Sequence, residues 1–233
     1  MSIYVTGDTH GEIDFDKLVW FSRAHPELTK NDYVIICGDF GGVWGEDTED
    51  TLNRFSKRPF TTLWVDGNHE NYARLKQYPV SDWNGGKVQM IRPDIIHLMR
   101  GQIFNIEGNT IFTFGGAESH DKEFRTYGQS IWRQEVPNLA EIREAERNLD
   151  KVGWQVDYII THSCDTYSLF NLLFPLYRRE EMKENKILCE FEERLTYKHW
   201  YFGHYHIDGN INSKKTVLYH QVIPLGASAE QRE

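Results

Sequence analysis

Five short segments carry residue types that bind divalent metals: Asp8-Thr9-His10, Gly38-Asp39, Gly67-Asn68-His69, Thr161-His162 and Gly203-His204-Tyr205-His206. They offer carboxylates, imidazoles and an amide oxygen, donors for borderline to hard cations, and no cysteine is among them. An aspartate and a histidine one residue apart can turn both side chains to one ion where the chain leaves a strand. The glycines let the backbone bend tightly beside them. One such segment alone is ordinary turn chemistry. Five in this order, each behind a strand-like run, define a candidate centre for metal-assisted chemistry.

The runs that position them begin with Ile3–Val5, Tyr33–Cys37 and Thr61–Val65, each ending in glycine and polar residues. Helix-like stretches lie between them at 14–25, with Phe15, Leu18, Val19 and Ser22 on one face, and at 47–57. Strand and helix in alternation predict a parallel sheet with crossover helices, whose strands present their carboxyl ends on one edge. That edge gathers Asp8, His10, Asp39, Asn68 and His69. The runs 88–90, 95–99, 102–106 and 110–114 are divided by Pro93, Gly101 and Gly108-Asn109, which predicts a second, mainly antiparallel section. Residues 116–137 are polar and show no period. Asn138 with Glu141 three positions on reads as a helix start, with Leu139, Ile142, Ala145 and Leu149 as the buried face. A strand over 156–161 ends at His162, a charged helix covers 180–197, Tyr201-Phe202 leads into Gly203, and 216–225 reads as a closing pair of strands. No repeat or linker interrupts the chain, so one domain over 1–233 is expected.

Composition narrows the class. The chain has 233 residues, 39% hydrophobic and 26% charged, enough apolar material for a core and unlike a disordered, collagenous or coiled-coil chain. Its 26 basic against 35 acidic residues, net −9, argue against wrapping extended duplex nucleic acid. Cys37, Cys164 and Cys189 are odd in number and widely spaced, as in a reducing compartment without disulfides. Neither a targeting segment nor a membrane-length apolar run is visible, so a soluble, cytoplasmic protein is expected. Of ten histidines, the five named above fall in the candidate segments.

Over residues 7–206 the pattern Asp-x-His, Gly-Asp, Gly-Asn-His-Glu, a lone His and Gly-His-x-His resembles the calcineurin-like metallophosphoesterase superfamily, in particular its small bacterial and phage forms. The resemblance implies an α/β fold, a two-sheet β-sandwich flanked by helices. It implies two divalent ions, with Asp8, His10, Asp39 and His206 holding one. Asp39 would bridge to a second, held by Asn68, His162 and His204. Manganese is the first choice of metal, and iron, zinc, nickel and magnesium also suit the donors. The implied reaction is hydrolysis of a phosphate ester by hydroxide held between the two ions. His69 is the implied catalytic residue, beside the leaving oxygen and on neither metal.

The phosphoprotein phosphatases of this superfamily carry Gly-Asp-x-x-Asp-Arg-Gly, whereas this chain has Gly38-Asp39-Phe40-Gly41-Gly42-Val43-Trp44, and Asp66 where they tend to have arginine. The closing Gly-His-x-His is similar to the phosphodiesterase-like branches. The substrate expected is therefore a phosphodiester or phosphomonoester of a nucleotide or nucleic-acid end. A phosphoprotein phosphatase and a non-catalytic binding module are the alternatives. For substrate contacts, the 116–137 segment offers Lys122, Arg125 and Arg133 amid Tyr127 and Trp132, the arginines for phosphate and the aromatics for stacking on a base. Cys164 reads as a free thiol near the rim, Cys37 as core, and Trp44 and Trp83 as packing residues, with Trp44 also placed to wall the site. Glu70 reads as a first-turn helix residue or as support for the centre. His25, His97, His120, His199 and His220 lie outside the pattern.

Overall fold

A computed structural model of the chain describes residues 1–173 and 181–230, folded as two mixed β-sheets face to face with helices on both outer sides. The chain runs β1 (Ile3–Thr6), α1 (Asp16–Ala24), β2 (Tyr33–Ile36), α2 (Thr48–Ser56), β3 (Thr61–Trp64) and α3 (Tyr72–Leu75). It continues through β4 (Val80–Trp83), β5 (Gly86–Arg92), β6 (Ile95–Leu98), β7 (Gln102–Ile106) and β8 (Asn109–Phe114). Then follow α4 (Leu139–Lys151), β9 (Tyr158–Thr161), α5 (Thr166–Leu173) and α6 (Lys183–Glu192). The last strands are β10 (His199–Phe202), β11 (Gly209–Asn212), β12 (Lys215–Val217) and β13 (Val222–Pro224).

The first sheet has the order β13-β1-β2-β3-β6-β5-β4 and the second β11-β12-β10-β9-β8-β7. Both are parallel at the centre and antiparallel at the edges. Strand periodicity explains the layers. In β2, Ile35 faces the other sheet with Val5, Leu63, Phe104, Ile111 and Ile160, while Val34 and Ile36 face Phe15, Leu18, Leu52 and Phe55 of the α1–α2 side. Strands apolar on both faces are what a sheet covered on both sides requires. On the far side, Phe112, Trp200 and Phe202 pack against Ala145, Leu149, Leu188 and Phe191.

Some expectations change. The middle runs do not form one antiparallel section: β5 and β6 join the first sheet, with β6 parallel to β3, and β7 and β8 join the second, with β8 parallel to β9. Turn residues report that consecutive strands reverse, and they carry no information on which sheet receives them. The strands in 216–225 do not pair with each other, since β12 lies in the second sheet and β13 beside β1 in the first. Asn138 and Glu141 do form a reciprocal cap on α4, but Leu139 at its first position is 59% exposed, and the fully buried face begins with Ala145. Of the helix expected at 180–197, α6 occupies Lys183–Glu192, and position 180 lies outside the described residues. Segment 116–137 contains two single 3-10 turns, at Lys122–Phe124 and Arg133–Glu135.

Candidate metal centre

The loops leaving β1, β2, β3, β9 and β10 meet at the carboxyl ends of their strands, where a ligand site of an open α/β sheet belongs. Asp39 lies between two donor sets. Its Oδ2 is 3.2 Å from His10 Nε2 and 3.4 Å from His162 Nε2. On one side, donor atoms of Asp8, His10 and His206 lie within 4.8 Å of one another, with His206 Nε2 3.2 Å from Asp8 Oδ2. On the other, His162 Nε2 is 3.0 Å from Asn68 Oδ1 and 3.2 Å from His204 Nδ1.

The local backbone is bent to achieve this. His10, Asp39, His204 and His206 have φ of 44°, 47°, 69° and 54°, a left-handed conformation that L-residues seldom adopt and that collects at functional sites. Two glycines are required by close approach. A Cβ on Gly203 would collide with Oδ1 of Asp8, and one on Gly67 with Oδ1 of Asp39. The carboxylates are fixed by main-chain donors: the His204 N–H donates to Asp8 at 3.0 Å, and the His69 N–H donates to Asp39 at 2.7 Å.

Charge and donor type both fit a pair of divalent cations. Asp8 and Asp39 are buried, and every ion pair that the described residues give them is with an imidazole. Burial opposes charge on those imidazoles, yet the bond and charge of Asp39, with the charge of Asp8, hold His10 up to about 9. The same carboxylates outweigh complete burial of His162 and hold it up to about 10. A site that draws protons onto histidines this strongly is one whose negative charge calls for cations. Asp39, Asp8, His10 and His206 can hold one ion, and Asp39, Asn68, His162 and His204 the other.

A surrounding layer of side chains orients these donors, as metal-binding histidines generally require. His162 directs Nδ1 to the Cys37 carbonyl at 2.8 Å, which leaves Nε2 for the centre. His10 Nδ1 lies 2.7 Å from Asp14, and the Tyr219 hydroxyl donates to the other oxygen of Asp14 at 2.8 Å. The same Tyr219 ring stacks on His206 at 4.6 Å and 9°, so one residue braces both histidines of the first set. Tyr219 is itself held by Asp208, which accepts its N–H at 2.7 Å. Around the second set, Asn68 Nδ2 donates to Ser119 at 3.2 Å and Ser119 donates to Glu135 at 2.7 Å, which turns the Asn68 oxygen inward. Glu70 lies before α3 and not in its first turn; its carboxylate accepts the N–H groups of Phe40 and Gly41, fixing the loop behind Asp39.

His69 stands at the edge of the centre, its ring 5.4 Å from that of His10. Arg125 Nη2 lies 3.0 Å from its Nδ1 and 3.1 Å from its Nε2. Arg125 is in turn held by Asp121 at 2.7 Å and by the Ser130 carbonyl at 3.0 Å. Burial pushes His69 below its ordinary value; the pull of Asp39 opposes this, and the charges of Arg125, His10 and His162 add to it.

The other candidates of segment 116–137 are not gathered here. Arg133 is exposed, Lys122 pairs with Glu118, and Tyr127 is exposed. Trp132 is buried, with its ring at right angles to that of Trp44 at 5.6 Å, and so buried it presents no open face to a base. Cys164 is a free thiol, fully buried, whose Sγ donates to the Tyr205 hydroxyl at 3.3 Å, between His204 and His206 in the chain. Of the histidines outside the pattern, His97 is buried against Trp64 and Asp66, His199 against Thr216, and His120 stacks on His204. Asp14, Ser119, Glu135 and Tyr219 were not anticipated. Asp14 had a faint signal in its spacing of four from His10, whereas Tyr219 had none.

The family description "calcineurin-like phosphoesterase" matches residues 1–208, and the chain belongs to that family. Among individual proteins it is similar to the lariat debranching enzyme of Homo sapiens, 25% identical over 89% of this chain and 42% of that protein. It is likewise similar to the lariat debranching enzymes of Drosophila melanogaster (24%, over 88% of this chain and 43% of that protein) and Arabidopsis thaliana (24%, over 88% and 54%). The chain thus spans about half the length of these curated relatives, or less.

Proposed function

We propose that this chain is a phosphodiesterase acting on a nucleotide-type diester. The observation that carries this is the count of cations that the described residues bring to the catalytic edge. Arg125 meets His69, while Arg133 is exposed and Lys122 is engaged by Glu118. One guanidinium matches the single negative charge of a diester better than the nearly double charge of a monoester. The likeness to lariat debranching enzymes points the same way.

The two ions, when bound, supply Lewis acidity that makes water nucleophilic near neutral pH and offsets charge on the phosphate. The chain supplies the rest. Asp39, fixed by the His69 N–H, keeps the imidazole of His69 beside the reacting phosphate. Arg125 Nη2 rests against the His69 ring, nearly equidistant from its two nitrogens, and a phosphate oxygen entering there offers the guanidinium a charged and stronger acceptor. With Arg125 drawn to the phosphate and the phosphate's negative charge beside it, His69 takes up a proton and gives it to the leaving oxygen, a role commonly worth about a hundred- to ten-thousandfold in rate. The binding-module reading loses support because each donor position is filled by a competent ligand.

The test is hydrolysis of bis-p-nitrophenyl phosphate against p-nitrophenyl phosphate, with manganese and with chelator. A higher kcat/KM for the diester, abolished by chelator, is expected. A tenfold preference for the monoester would overturn the proposal.

A further inference from the structure

Beside the centre lies a cavity of about 340 Å³, at the small end of the roughly 300–1,000 Å³ typical of ligand sites. His10 and His69 form its inner wall, so whatever is bonded to phosphorus on the His69 side extends into it. Trp44 and Ile13 line its flanks, and Glu12 and Asp47 its polar part. Trp44 is held through its main chain, whose N–H donates to Thr48 at 3.1 Å and whose carbonyl accepts from Asn71 at 2.8 Å, and its ring stands at right angles to that of Trp132, 5.6 Å away. Ile13 is 83% exposed, a branched aliphatic side chain left facing solvent at the cavity.

The charge of the lining selects the occupant. No lysine or arginine among the described residues lines the cavity, and Arg54 reaches only as far as Glu12. A further phosphate would meet the carboxylate of Asp47 and a Glu12 already paired with Arg54, and no lysine or arginine among the lining residues. A flat, neutral ring would stack on the indole and the isoleucine, and amino groups on that ring would donate to Glu12 and Asp47.

Resting on the diesterase reading above, we infer that this cavity seats the leaving nucleoside, a terminal one with an amino-bearing base. In the reaction, water adds to phosphorus and the phosphorus–oxygen bond to this nucleoside breaks with its electron pair on the nucleoside oxygen. His69 protonates that oxygen, and the water's own proton passes to solvent, from which His69 is reprotonated. The products are the nucleoside and a phosphomonoester. Arg125, on the remaining side of His69, takes the phosphate that stays behind.

The experiment compares deoxyadenylyl-deoxyadenosine with bis-p-nitrophenyl phosphate in the wild type, Trp44→Ala and Ile13→Ala. Loss of the stacking face is expected to lower the ratio of kcat/KM, dinucleotide over bis-p-nitrophenyl phosphate, about tenfold in Trp44→Ala. A severalfold drop is expected in Ile13→Ala, whose side chain is too exposed to support the fold. An unchanged ratio in both variants overturns the inference, as does an equal loss on both substrates. Saturation-transfer NMR with adenosine reads the cavity without turnover: transfer to the base is expected in the wild type and weakened in both variants, and its absence from the wild type also overturns the inference. If bis-p-nitrophenyl phosphate is not cleaved at all, the diesterase reading fails while the NMR result still decides the cavity.

Discussion

Replacing Asp14 by Asn tests whether the layer around the donors tunes the centre. The Asp14 carboxylate lies 2.7 Å from His10 Nδ1 and is only 15% exposed, so solvent screens the pair weakly. A charge-assisted bond in such a setting contributes about 1.5–3 kcal/mol. Asn keeps an acceptor but removes the charge, forfeiting about 1–2 kcal/mol and weakening the ion held by His10 by a factor of about 5–30. Tyr219→Phe is the milder companion. It removes the 2.8 Å bond to Asp14 and leaves the ring stacked on His206, for an expected loss of about two- to tenfold. Tyr219→Leu removes both braces and should exceed either. Manganese titration by calorimetry resolves the effect, with the other ion as internal reference. Unchanged affinity in Asp14→Asn, or a loss confined to the ion built around Asn68, would refute the reasoning.

Two further perturbations separate strain and stability from catalysis. With chelator present, His206→Gly should unfold at higher temperature than His206→Ala by an amount worth about 1 kcal/mol, because only glycine relieves φ of 54° there; equal melting temperatures would remove strain from the account. Beneath the centre, Arg100 Nε donates to Asp66 at 2.6 Å with both side chains buried, so Arg100→Met should cost about 3–5 kcal/mol in urea unfolding by stranding a carboxylate. Burial raises the Asp66 carboxyl, but the charge of Arg100 and the bond from His97 win and hold it well below the usual carboxylate range. A pKa depressed by folding stabilises above the unfolded value, so this contribution should persist at neutral pH and fade as pH drops below about 4. A variant that lost stability only above neutral pH would contradict the sign.

The donors were legible in the sequence because each follows its strand directly: a parallel strand ending in Gly-Asp or Gly-Asn-His places those residues on one edge whatever the rest does. The first sheet's β1, β2 and β3 were legible for the same local reason. The pairing of β6 with β3 and the separation of β12 from β13 were not, because turn residues specify reversal and not the destination of the strand. The bracing residues were hidden by distance along the chain. Tyr219 meets Asp14 across 205 positions, and Ser119 meets Asn68 across 51, so no spacing rule reaches them. The polar segment 116–137 misled in proportion to its composition: arginine and aromatic content nominated four residues, and packing brings Arg125 to His69 while turning Arg133 and Tyr127 outward.

The central claim is that Asp39 is shared by two ions. Electron paramagnetic resonance of the protein titrated with manganese tests it most directly. The account expects two equivalents bound per chain and a spin-coupled spectrum, with Asp39→Asn losing the coupling. A single equivalent, or two ions with uncoupled signals, would contradict it.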